Sequence, residues 1–262
     1  MSVVEPSLKN QPELKKFTEY AIISFIGLII LNLVFAMLPV FWSNMLIGKK
    51  SIELSISFQD IMWFFFLIGM LLIRRRTFEI KKLRNYQKNA YLPEDFETII
   101  DDAVLTGIIK SSKKDSSENM GILPYMILQI SLQFRTNQSI ALTSDFLSKQ
   151  LELFLHSVEL RYNKLKYLIW LIPSLGFMGT VYGIGVAVSQ LGQGSLDDPD
   201  LLTKMAASLG VAFNTTLLAL VLSVILQFFT QHFEAKEENL INDFGKYILD
   251  NLINKIIEKK RS

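Results

Sequence analysis

The chain has 262 residues, half of them hydrophobic, with a formal net charge of only +2, two histidines (His156 and His232) and no cysteine. That balance excludes the basic character of a nucleic-acid binder, and the missing cysteines exclude disulfides, thiolate metal sites and cysteine nucleophiles. The mean hydropathy of +0.31 is gathered into apolar blocks with the charge lying between them, which marks a membrane protein.

Residues Met1 to Glu19 are polar, with Lys15 and Lys16 just before the first apolar block. Ala21 to Trp42 is about 22 residues, or roughly 33 Å as a helix, enough to span a bilayer. It exceeds a signal-peptide core and no small-x-small cleavage site follows, so a retained transmembrane helix is expected. Ser43 to Ser57 reads as a short connection. The second span is expected at Phe58 to Ile73, closed by Arg74, Arg75 and Arg76, with Lys81, Lys82 and Arg84 beyond. These cations place that end in the cytoplasm, as Lys15 and Lys16 do for the chain's start. Asp60, near the outer end of the block, is expected to be interfacial and solvated.

Thr77 to Lys166 is polar and cytoplasmic on this topology. Ser111 to Asn119 (SSKKDSSEN) has linker composition. Ser144 and Asp145 look like N-caps of a helix. Leu147, Leu151, Phe154, Leu155, Val158 and Leu165 then recur at helical spacing. This helix is expected to run into a third span, with Arg161, Lys164 and Lys166 as a positive belt at its membrane entrance.

Leu168 to Gln190 contains no acidic or basic side chain. At about 100° per residue, Gly176, Gly179 and Gly183 fall within roughly 60° of one another, with Pro173 and Thr180 at the edges. A face without Cβ atoms lets another helix approach closely; the sequence leaves open whether that helix comes from a neighbouring copy or a partner. Leu191 to Lys204, with GQGSLDDPD, reads as an outer loop. The fourth span, Met205 to Thr230, gathers Ser208, Ala212, Thr215, Thr216, Ala219 and Ser223 within about 100° of arc. Leu217, Val221 and Val224 lie opposite, on a side suited to lipid, and Asn214 lies off both faces, placed to bond a neighbouring helix. From His232 an amphipathic helix is expected, with Phe233, Leu240, Ile241, Phe244, Ile248, Leu252 and Ile256 on one face. It would pack on the Ser144–Lys166 helix, on a neighbouring copy, or on anionic lipid.

The hydroxyls of the fourth span can hydrogen-bond a carboxylate, a hydronium or a partly dehydrated cation, but they do not titrate near neutral pH. An intramembrane relay needs a carboxylate. If this chain conducts ions, that carboxylate comes from another chain.

The segment Pro173-Ser174-Leu175-Gly176-Phe177-Met178-Gly179-Thr180-Val181-Tyr182-Gly183-Ile184 resembles the signature of the MotA/TolQ/ExbB proton-channel family. Ala212-Phe213-Asn214-Thr215-Thr216-Leu217-Leu218-Ala219-Leu220 is similar to that family's last span. The resemblance implies an ion pathway through Thr180, Thr216 and, less centrally, Thr215. Beside it lie a close-packing face of Pro173, Gly176, Gly179 and Gly183 and a small pore-lining face of Ser208, Ala212, Ala219 and Ser223. It further implies a homopentamer in membrane lipid around two copies of a single-span protein like MotB, TolR or ExbD, whose helix supplies an aspartate. Two spans before the large loop resemble MotA, whereas ExbB and TolQ place one span there.

The expectation is therefore an all-α polytopic membrane protein with four transmembrane helices, the last two extended into a cytoplasmic helical bundle. Its parts would be an N-terminal transmembrane pair (1–76), a cytoplasmic helical region (77–166), a channel core (167–231) and a C-terminal cytoplasmic helix (232–262). It would sit in the bacterial inner membrane with both termini cytoplasmic, as the pore-forming subunit of an ion-driven, proton-powered motor. No catalytic residue, metal or cofactor is expected, since the loop offers no nucleophile–base pairing or metal spacing. A stand-alone transporter or a passive membrane scaffold are the competing readings.

Overall fold

Pro12 suits the first turn of a helix, where its missing N–H is not needed, and the chain is helical from there. The computed structural model describes residues 12–37, 45–47, 57–87, 91–95, 98–119, 121–193 and 200–256. Among them run α1 (Pro12–Ala36), α2 (Phe58–Gln87), α3 (Asp102–Asn119), α4 (Ile122–Asn137), α5 (Ile140–Gln193) and α6 (Leu201–Asn251), then a 3-10 turn at Ile253–Lys255. No strand beyond an isolated bridge, Ile100 to Ile256, occurs among the described residues. Most of the expected Ser43–Ser57 connection, the end of the first apolar block and the GSLDDP part of the outer loop lie outside them.

Among the described residues, three helices contain stretches long and apolar enough to cross a membrane: Thr18–Phe35 in α1, and stretches within Ile140–Gly192 and Leu201–Lys255. The chain is all-helical and an integral membrane protein. Helix α2 falls short of that measure because its apolar run is bounded by Asp60 and by Arg74, Arg75 and Arg76. At 1.5 Å per residue the expected second span is only about 24 Å long.

The chain forms two compact units. One comprises residues 8–74 and 163–231. Here α1 lies on α2: the Phe35 and Trp63 rings are 5.5 Å apart and Leu67 reaches within 3.4 Å of where a Cβ on Gly27 would stand. Most apolar side chains of α1, such as Ile22, Ile26 and Leu33, remain exposed. Leu226 of α6 fills the space over Gly69 of α2.

Asp60 is not solvated. It is 5% exposed, because Ser57 and Asp60 form a reciprocal capping box at the start of α2. The Ser57 N–H and hydroxyl donate to Asp60 Oδ2 (3.1 and 2.9 Å), and the Asp60 N–H reaches back to Ser57 Oγ (3.1 Å). Asn32 Nδ2 of α1 donates to Oδ1 at 3.1 Å. This carboxylate is spent on capping the start of α2 and holding α1.

The other unit comprises, among the described residues, 75–162 and 232–256. Its core joins Leu105 and Ile108 of α3, Met126 and Ile130 of α4, Val158 of α5 and Phe244 of α6. Ser111–Asn119 is not a linker: it completes α3. Asp101 Oδ1 caps the helix at the Val104 N–H (2.8 Å), and the serine- and lysine-rich run that follows lacks the glycine or proline that would stop propagation.

Ser144 and Asp145 are likewise not caps but interior residues of α5. The break comes earlier, where Gln138 adopts a left-handed conformation (φ 52°) and returns its N–H to Phe134 O (2.7 Å). Thr143 then closes the first turn of α5 by placing both its N–H and its hydroxyl on Ser139 O.

The expected C-terminal helix is not separate, since α6 continues through His232 to Asn251 and buries Leu240, Ile241, Phe244 and Ile248 in this unit. At its end Lys255 Nζ holds the carbonyls of Pro93 and Asp95 (2.7 and 2.8 Å), and the Tyr247 hydroxyl accepts from the Leu92 N–H (3.2 Å).

Candidate functional site

Helix α5 continues through Pro173 even though proline removes one helical hydrogen bond. Beyond it, the three glycines settle the question left open by the sequence: their face meets α6 of the same chain. A Cβ on Gly176 would stand 2.4 Å from Ala219 Cβ, one on Gly179 2.7 Å from Thr215 Oγ1, and one on Gly183 2.8 Å from Ala212 Cβ. Residue numbers rise along α5 as they fall along α6, so the helices are antiparallel. Ala212 and Ala219, expected to line a path, are 1% and 0% exposed and serve instead as the floor beneath Gly183 and Gly176. The reason is steric: each alanine methyl fills the space left by the missing Cβ of the glycine opposite it, which lets the two helices approach closely.

At the rim of this seam sit the threonines. Thr180 Oγ1 and Thr216 Oγ1 are hydrogen-bonded to each other across the two helices. Thr180 Oγ1 also lies 3.2 Å from Gly176 O and 3.1 Å from Ala212 O, and Thr216 Oγ1 lies 3.2 Å from Gly176 O. Each hydroxyl carries one proton. Either Thr180 donates to Thr216, which donates to Gly176 O, or Thr216 donates to Thr180, which donates to a carbonyl. The pair therefore has two hydrogen-bonded arrangements of opposite direction. Thr215 stands behind them, 1% exposed, donating to Ala212 O at 2.7 Å. It is the buried member, whereas Thr180 and Thr216 are half-buried.

The remaining expected residues lie along the same helix. Ser223 is buried and bonds to Leu220 O (2.9 Å). Ser208 is half-buried near the other end, within reach of Lys204 O (3.1 Å) and Gln190 Oε1 (3.3 Å). Asn214 is half-buried. The structure thus brings Thr180, Thr215 and Thr216 together with Gly176 and Gly179, and leaves Ser208 and Ser223 apart from them.

Chemically, this arrangement can orient and hand on a hydrogen bond, but it cannot hold a charge. No acidic or basic side chain occurs in the apolar stretches of α5 and α6, and Asp60 already accepts three hydrogen bonds. Sequence reasoning missed the apolar frame of the hydroxyl pair, formed by Phe177, Ile184, Phe213 and Leu220, all exposed. Each sits three residues before or four after its threonine, a spacing that could have revealed it.

The sequence model of the MotA/TolQ/ExbB proton channel family matches residues 120–246, a range that includes α4, all of α5 and most of α6. No curated protein and no solved structure matches the chain.

Proposed function

Because the chain belongs, through residues 120–246, to the MotA/TolQ/ExbB proton channel family, we propose that it is the pore-forming subunit of a proton-driven motor in the bacterial inner membrane. The observation that carries this reading is the Thr180–Thr216 hydroxyl pair at the rim of a glycine-packed, antiparallel seam. In this reading Thr180 and Thr216 border the ion path and Thr215 supports them from behind. The titrating group is an aspartate on a single-span partner, as an intramembrane relay requires. Five copies surround that partner, and each proton crossing 100 mV releases about 2.3 kcal/mol for work.

Helix α2 supplies the second of the four spans in this topology. Its apolar run is short, but Arg74, Arg75 and Arg76 can extend their heads to the interface from a position inside it. Both termini then face the cytoplasm, on the side marked by the arginines.

The test is Thr216→Val, which keeps the shape of the side chain and removes the hydroxyl. Proton uptake driven by a membrane potential in proteoliposomes of the complex falls by about tenfold or more, since one hydrogen bond of about 1.4 kcal/mol on the barrier corresponds to that factor. Assembly is unaltered. A variant complex that carries protons at the natural rate would overturn the role of the pair.

A further inference from the structure

The threonine pair is half-buried, and four exposed apolar residues flank it on their two helices. Around the helix axis, Phe177 and Ile184 lie within about 60° of Thr180, and Phe213 and Leu220 within about 60° of Thr216. They are 66%, 44%, 70% and 52% exposed, left largely open by the described residues. The antiparallel register sorts them by end. With Gly176 against Ala219 and Gly183 against Ala212, Phe177 and Leu220 lie on one side of the threonine pair and Ile184 and Phe213 on the other, the members of each couple offset by about 3 Å in height. The hydroxyl pair is therefore bracketed along the membrane normal by one aromatic–aliphatic pair on each side.

Resting on the proposed role of Thr180 and Thr216 in the ion path, we infer that Phe177–Leu220 and Ile184–Phe213 are two dry collars that determine which species reaches the hydroxyl pair. Apolar constrictions exclude water by dewetting. A hydrated cation would have to shed its water there, and the site offers in exchange only hydroxyls and carbonyls already engaged with one another. A protonated carboxylic acid is neutral and meets no such barrier, while the same group ionised does. The collars thus admit a proton carried on a carboxyl, reject sodium or potassium, and stop the carboxylate from passing empty, which would uncouple flow from work.

The test uses the natural absence of cysteine. In the complex of the full chain with its single-span partner, a single Thr180→Cys is exposed to a small water-soluble methanethiosulfonate reagent. With both collars intact, labelling is at least about tenfold slower than that of Ser189→Cys, an exposed position on the same helix. Adding Leu220→Ser or Phe177→Ser raises it towards the Ser189→Cys rate. Rapid labelling of Thr180→Cys with the collars intact overturns the inference without any collar variant having to fold.

A second arm reads sodium and potassium leak from proteoliposomes with threonines unchanged. Phe177→Ser with Leu220→Ser raises it about tenfold, while the exchange Phe177→Leu with Leu220→Phe leaves it at the natural level. A tight, proton-selective serine variant also overturns the inference. If Thr216→Val stops proton flux while the serine variant stays tight, only the collars fail. If Thr216→Val has no effect, the ion path itself has been misplaced.

Discussion

One methyl group is more than the seam between α5 and α6 can accept at Gly176. The atoms it would meet, Ala219 Cβ and the backbone at Thr215 and Thr216, have no rotamer with which to move aside. Gly176→Ala therefore forces the helices apart, at about 1–3 kcal/mol, the usual range for overpacking. Thermal denaturation in detergent should show a clear loss of stability. Gly185→Ala, where a Cβ meets open space, should stay within about 0.5 kcal/mol or gain slightly from helix propensity. Equal midpoints for the two variants would show that the glycine face is not a packing device. The contrast also separates what a sequence can say of two glycines on one helix. Both are small, but only the structure shows which of them lies beneath another helix.

At the scale of elements, α5 and α6 are single helices of 54 and 51 residues, about 80 Å and 77 Å long at the standard rise. In the unit formed by 75–162 and 232–256 they are joined by a buried carboxylate. Glu237, whose side chain is 2% exposed, accepts from Arg161 Nη1 at 2.8 Å and from the Tyr162 hydroxyl at 3.1 Å. Burial and the Glu237 charge together push the Tyr162 phenol well above its ordinary value, so it stays a donor to that carboxylate.

The two partners are not equivalent. Arg161→Ala leaves a buried carboxylate with one neutral donor and should cost about 3 kcal/mol, near the lower end for a broken buried pair. Glu237→Gln leaves an arginine that is 33% exposed and can turn to water. Its cost should be roughly half as large, about 1–2 kcal/mol. Melting curves that rank the variants the other way would mean that Glu237 is solvated in the assembled protein.

The sequence placed Arg161 in a positive belt at the membrane, a property of local composition. It did not place Glu237 beside it, because the two residues lie on different helices 76 positions apart. The same limit explains why Ser111–Asn119 read as a linker: its composition is loop-like, whereas its helix is capped by Asp101 and anchored by Leu105 and Ile108.

For the molecule as a whole, the decisive feature is the missing titrating group. The apolar stretches of α5 and α6 carry none, and Asp60 is committed to the capping box and to Asn32. A chain that moves protons by this site needs a carboxylate from outside. Gentle extraction from native membranes should therefore recover it with a short protein that has one span and a membrane aspartate, and native mass spectrometry should resolve five copies of this chain. Recovery of a stable homo-oligomer that conducts protons alone would contradict this division of labour.

The sequence by itself determined the membrane character, the helical class, the glycine and hydroxyl faces and the motif of Pro173 to Ile184. Hydropathy, side-chain size and a 100° repeat are local properties that need no knowledge of neighbours. Only the tertiary structure decided that the glycine face meets α6 of the same chain, that Ala212 and Ala219 are covered rather than pore-lining, that Asp60 is buried, and that Thr180 reaches Thr216. Burial and hydrogen-bond partners are set by which helix arrives opposite, and at what level. That register is fixed by steric fit between residues 29 to 43 positions apart.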